Sequence, residues 1–281
     1  MDAPGIAAKE HRAALRGLAR LNRVSGVARR YLPYVLEVAR ETGRRKLRVL
    51  DVACGGGDVP WELARRARER GVELELVLAD KSGTALEQAR RRAEGNDGMG
   101  GFKAAVETLQ CAALDERLPE ADIVMSSLFL HHLDQGDVVA VLRHLAARAR
   151  QRLLVSDLRR SRVGLEVARV MCRVCARSPV VWHDGPASVR GAWTMGEMRA
   201  MAREAGLETA DVRRCWPWRM MLSWRRHHED AKNTRTHSAA EPQPKPCHHE
   251  DAKFTKTHEE HFSGSCAIAR GMGAYARRQH G

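Results

Sequence analysis

RVLDVACGGGD, residues 48–58, runs from an apolar segment into three consecutive glycines. Val49, Leu50 and Val52 have the character of a short buried strand, and residues 59–70 carry apolar side chains at helical spacing. The order is strand, glycine turn, helix. Glycine has no Cβ, so the chain can bend sharply there and lie against a ligand. The helix beyond the turn opens with backbone N–H groups that have no partner inside the helix. A tight turn alone says little, but a second apolar run, residues 74–79, ends in Asp80. A carboxylate roughly 20 residues past such glycines stands where nucleotide-binding folds hold a ribose.

Two familiar loops are excluded by their own requirements. A dinucleotide fingerprint needs Gly or Ala three residues after its second glycine, and Pro60 stands there. A phosphate loop needs Gly-Lys-Ser/Thr, and no Lys follows these glycines. Asp51, Ala53, Gly55 and Gly57 instead resemble motif I of class I S-adenosylmethionine-dependent methyltransferases, acidic-x-Gly-x-Gly-x-Gly. Ala53 replaces the first glycine, a mild departure because Ala is the next smallest residue. The resemblance covers about residues 21–226, and SLFLHHL (127–133) and DGPASVRGAWTMGEMRAMAREAGL (184–207) also carry it. The last segment is similar to the substrate side of bacterial enzymes that act on quinones and aromatic polyketides.

This resemblance implies S-adenosylmethionine as cofactor and a small-molecule acceptor. It implies N-terminal lid helices over residues 1–46 and a Rossmann-like domain over 47–226. Its cofactor-binding positions fall on Asp51, Ala53, Gly55, Gly57, Asp80, Lys81, Ala112 and Ser126. Asp80 would accept from both ribose hydroxyls, since a carboxylate has two acceptor oxygens and no donor. A surface acid closing a strand would read the same way. Asp51 either orients the glycine turn or reaches the methionine ammonium. Ala112 stands where related enzymes often carry an Asp for the adenine amino group, which leaves adenine to main-chain contacts and apolar packing.

The rest of the chain alternates strands with helices, which predicts an α/β fold with a doubly wound, mostly parallel sheet. Amphipathic helices are expected over 1–24 and 31–42, the second interrupted near its start by Pro33. Further helices are expected over 82–93, with Ser82 as N-cap, and over 137–150, 165–177 and 195–205. Strands are expected over 104–109, 121–128, 152–156, 207–213 and 219–224, and an irregular stretch over 178–194. Ligands in such sheets lie beyond the carboxyl ends of the strands. Residues 54–57, Asp80, residues 126–132 and Asp157 all fall on that edge.

His131 and His132 follow the fourth strand, and either is a candidate base, because imidazole titrates near neutrality. Packing or capping of the helix that follows is the plainer alternative. Asp157 would orient such a base or bind substrate. His183, beside Asp184, is a second catalytic candidate on the irregular stretch. Cys172 and Cys175 form a CxxC pair with no partner pair at zinc spacing, so they read as core-facing thiols and no metal is expected. Trp182, Trp193, Trp216, Trp218 and Trp224 either line an apolar pocket or fill the core.

The net charge of +13 raises the question of nucleic acid. The charges are spread along helices beside Glu and Asp, as on solvated faces, and Ser126 to Phe129 hold neither motif of nucleic-acid base methyltransferases at this position. The main reading is methyl transfer to a phenol, quinol or polyketide. Nucleic-acid methylation and a non-catalytic cofactor-binding scaffold are the alternatives. No apolar run is long enough for a membrane span, no secretory signal is expected from the first residues, which lack an apolar core, and 7 scattered Cys suit a reducing cytoplasm. From His227 the chain changes character: HHEDAKNTRTH (227–237) recurs as HHEDAKFTKTH (248–258) around a Pro-rich spacer. Segment 227–281 is expected to be a disordered, His-rich tail, with metal binding as the alternative.

Overall fold

The computed structural model describes residues 8–95, 105–175, 179–216 and 218–226. The repeated, His-rich segment lies outside the described residues. Seven strands form one sheet in the order β3-β2-β1-β4-β5-β7-β6. They are β1 (Lys46–Val52), β2 (Glu73–Asp80), β3 (Val106–Gln110), β4 (Ala121–Ser127), β5 (Ala149–Leu158), β6 (Asp211–Cys215) and β7 (Arg219–Arg225). The first five run parallel, and β7 pairs antiparallel with both β5 and β6.

The helices are α1 (Ala8–Ser25), α2 (Val27–Thr42), α3 (Asp58–Arg68), α4 (Gly83–Ala93), α5 (Gln135–Arg148), α6 (Arg162–Cys175), α7 (Pro179–Gly191) and α8 (Met195–Glu204). The sheet is buried on both faces, which is why its central strands read as continuous apolar runs. Val49, Leu76, Leu78, Ile123, Met125 and Leu154 pack with residues of α2, α3 and α4. Leu50, Val52, Val77, Val124, Leu153 and Val155 pack with residues of α5 and α8 on the other face. Local sequence sets several boundaries. Ser82 caps α4 by accepting from the Ala85 amide at 3.3 Å, and Thr194 with Glu197 forms a capping box on α8.

Three expectations need correction. Residues 179–191 are helical, where an irregular stretch was expected over 178–194; α6 and α7 pack together, and Gly185 gives the room, since a Cβ there would overlap Cys172 Sγ. Helix α2 begins at Val27 and carries Pro33 inside it, because Val27, Tyr31, Val35 and Val38 all bury one face. Strand β6 starts at Asp211, after a turn in which Ala210 N donates to Leu207 O at 3.0 Å.

Candidate active site

The carboxyl ends of β1, β2, β4 and β5 converge on one edge of the sheet. After β1 the chain turns through Ala53, Gly55 and Gly57, all at positive φ. Gly57 is required on two grounds: its φ is +67°, and a Cβ there would lie 3.0 Å from Ala89 Cβ and 3.2 Å from Leu78 Cδ1. Ala53 sits at φ 57°, where only glycine is relaxed, so the Gly-to-Ala departure is a strained one and not the mild change its size suggests. Leu128, after β4, and Trp218, before β7, share this backbone state at φ 57° and 48°. The three non-glycine residues with positive φ among the described residues therefore flank the strand ends of this one edge, as strained residues at functional sites do.

Asp80 ends β2 and is tied to the turn. Its Oδ2 accepts from Gly55 N and its Oδ1 from Ser82 N, both at 2.8 Å. Each oxygen keeps a further lone pair for a ligand hydroxyl. Lys81 follows at the surface, and its carbonyl accepts from Gln110 Nε2 at 3.1 Å. Cys111 N bonds to Asp80 O at 3.1 Å, which places the exposed Ala112 one residue further along the same rim. Ser126 Oγ donates to Val52 O at 2.8 Å and so pins β4 to β1 beneath the turn.

Asp51 is 1% exposed and its Oδ1 has no hydrogen-bond partner. Burial, with Asp58 and Asp80 nearby, raises its carboxyl well above the ordinary range. A buried carboxylate oxygen without a donor is suited to a cationic ligand group. Together with the Asp80 carboxylate and the glycine turn, it fits S-adenosylmethionine, which carries an ammonium, a ribose and a sulfonium.

The two adjacent histidines differ. His131 Nδ1 lies 2.7 Å from Asp157 Oδ1, and the His131 amide donates to Asp157 Oδ2 at 3.0 Å. Both side chains are buried. Burial alone would raise the Asp157 carboxyl; the charge and hydrogen bond of His131 and the Leu158 amide outweigh it and hold the group below the usual carboxylate range. His132 is exposed, its ring centroid 4.0 Å from that of His131. His183 falls within α7, and its side chain lies outside the described residues. Trp193 and Trp224 belong to the core, with Trp193 Nε1 donating to Leu130 O at 3.0 Å. Trp182 and Trp216 are exposed.

The sequence reading passed over four residues of this edge. Tyr31, fully buried on α2, donates to Ser126 O at 2.8 Å and lies 2.9 Å from Ser127 Oγ. Arg219, buried at the start of β7, donates from Nη2 to Asn22 Oδ1 at 2.9 Å; Asn22 on α1 in turn donates to Asp58 Oδ2 at 3.0 Å. Ser156 has a buried hydroxyl with no partner. A charged residue opening the apolar strand RMMLSW was the available signal for Arg219.

Comparisons with known proteins agree with this geometry. Residues 49–152 match the family described as methyltransferase domain. Human N-acetylserotonin methyltransferase, solved with S-adenosylmethionine, is similar over 78% of this chain and 56% of its own, with 14% identity and a TM-score of 0.53. Magnesium protoporphyrin IX methyltransferase from Synechocystis aligns over 73% of this chain and 85% of its own, with 18% identity and a TM-score of 0.48. A ubiquinone/menaquinone biosynthesis C-methyltransferase from Rickettsia felis is 37% identical over 57 residues, 20% of this chain and 23% of that protein. The chain thus matches under a quarter of the length of that curated relative. Residues 49–152 thus match a methyltransferase domain, and the sheet order is that of the class I methyltransferase fold.

Proposed function

We propose that this protein transfers the methyl group of S-adenosylmethionine to a small, largely apolar acceptor with an ionisable hydroxyl, a phenol, quinol or polyketide. The observation that carries this reading is the buried His131–Asp157 pair on the same sheet edge as the glycine turn and Asp80. When bound, the cofactor supplies an already activated sulfonium methyl, so the protein's work is to align acceptor with cofactor and to exclude water. Asp157 holds Nδ1 of His131, which leaves Nε2 to take the acceptor proton. Removing that proton activates both the phenolic oxygen and the ring carbons beside it, so O- and C-methylation need the same base.

Asp80 holds the ribose, and the turn through Gly55 and Gly57 brings backbone close to the amino-acid end. Helices α1 and α2 form the lid: Leu15 of α1 lies over Gly55, where a Cβ would meet its Cδ2 at 3.7 Å. Segment 227–281 takes no part in catalysis, given its polar, repetitive composition. Free Cys54, Cys111 and Cys172, all buried, suit a reducing cytoplasm. No described helix is long and apolar enough to cross a membrane.

The test is transfer of labelled methyl from S-adenosylmethionine to a panel of phenols, quinols and aromatic polyketides by the full chain. Transfer that His131→Gln abolishes is the expected result. Tight cofactor binding with no transfer to any acceptor would replace this reading with a non-catalytic scaffold.

A further inference from the structure

The sheet face covered by α2 and α3 presents one row of polar groups at its carboxyl edge. Strand register builds it. Asp51 pairs with Met125 on β4, and Ser127 lies two residues further on the same face. Ser127 pairs with Ser156 on β5, and Ser156 with Met221 on β7, which shares its face with Arg219. The row is therefore Asp51, Ser127, Ser156, Arg219, an acid at one end, hydroxyls between and a guanidinium at the other. Tyr31 leans over its middle through the 2.9 Å contact with Ser127.

Three members of this row bury a polar atom that has no partner: Asp51 Oδ1, Ser156 Oγ and Arg219 Nη1. Their residues are 1%, 0% and 4% exposed. Buried polar groups are paired in nearly all folded proteins, and each exception calls for a reason. Here the exceptions include a carboxyl and a guanidinium on one face, three strand spacings across and four residues along the strands, roughly 20 Å between backbones. The arginine and aspartate side chains, reaching toward each other, span part of that distance. The remaining gap suits a small ligand with a cation and an anion on neighbouring atoms, which is the chemistry of an α-amino acid.

Arg219 is also aimed. Its Nη2 is held by Asn22, and Asn22 by Asp58, the first residue of α3 after the glycine turn. The rigid guanidinium plane then fixes where Nη1 points. Burial lowers the Arg219 pKa to about 10, against the favourable charge of Asp157, so the group remains a cation at neutral pH.

We propose that Arg219 binds the α-carboxylate of the cofactor's methionyl end while Asp51 binds its α-ammonium. The assignment rests on the cofactor reading above and goes beyond it by naming a residue of β7 as part of the cofactor site. It also gives α1 a reason to close, since the residue that positions Arg219 is Asn22 of the lid.

The test compares three ligands by calorimetry on the full chain: S-adenosylmethionine, its decarboxylated analogue, and 5′-methylthioadenosine, which lacks the amino-acid end. Wild type should prefer S-adenosylmethionine to the decarboxylated form by about 10- to 100-fold, the scale of a charged hydrogen bond. Arg219→Met should erase that preference and leave methylthioadenosine binding unchanged; Arg219→Lys should restore part of it. Equal affinity of wild type for the first two ligands overturns the assignment even if no variant folds. So does an Arg219→Met variant that weakens all three ligands alike, which marks a structural role. Failure of wild type to bind any of the three overturns the cofactor reading itself and this assignment with it.

Discussion

Gly55 donates its amide to Asp80 Oδ2 across 2.8 Å, so the turn after β1 and the acid that ends β2 form one unit. With Ser82 N on the other oxygen, the carboxylate is fixed before any ligand arrives. Such preorganisation reduces the ordering cost of binding. Asp80→Ala removes the proposed ribose contacts and also strands two amides. Affinity for S-adenosylmethionine should fall by about 1.5–3 kcal/mol and the melting temperature should drop. Calorimetry and a melting curve check this together. Unchanged affinity in a folded variant would remove Asp80 from the site.

Ala53 offers a test of strain. An alanine at φ 57° is held about 1 kcal/mol above its relaxed state. Ala53→Gly relieves that strain but adds freedom to the unfolded chain, which offsets part of the gain. Urea denaturation should show a net stabilisation of a few tenths to about 1 kcal/mol. A clear loss of stability would mean that the Ala53 methyl makes contacts worth more than the strain.

Asp51 gives a pH dependence with a definite sign. Its folded carboxyl titrates well above the ordinary range, through burial and the neighbouring Asp58 and Asp80. Cys54 and Tyr31 also lie close, and both are themselves raised by burial. The folded protein therefore holds a proton that the unfolded chain releases near pH ~4. Above that pH Asp51 opposes folding, increasingly until the folded value is passed. Asp51→Asn should raise the ligand-free melting temperature at neutral pH and flatten its fall with pH, while weakening S-adenosylmethionine. Identical melting of the two proteins from acid to neutral pH would refute the raised titration.

The glycine turn, Asp80 and the alternation of strands and helices were legible because each has a local cause: a φ that favours glycine, an acid ending a strand, a period of apolar residues. Arg219, Asn22 and Tyr31 were not, since they lie far apart in sequence and meet only through β7, α1 and α2. Helix α7 was hidden for a similar reason, as Gly185 and Pro186 read as part of an irregular stretch until packing against Cys172 makes the glycine a point of close approach. The pair His131–His132 was visible, but only the position of Asp157 on β5 separates its members.

That separation leads to a kinetic prediction. His131→Gln should lower turnover by about 100- to 10,000-fold with cofactor affinity unchanged, whereas His132→Gln, at an exposed position, should change turnover little. The His131 loss should shrink across a series of phenols as their pKa falls, because an acidic phenol arrives already ionised, and raised pH should rescue the variant for the same reason. Asp157→Asn should slow the same step, since it loses the carboxylate that holds Nδ1. It should also lose stability: the depressed Asp157 carboxyl favours folding above pH ~4, a contribution that disappears as pH falls through its folded value. Rates for wild type and the three variants over substituted phenols decide the matter. A His131→Gln loss that ignores acceptor pKa would show that the imidazole only packs against Asp157, and that alignment alone drives the transfer.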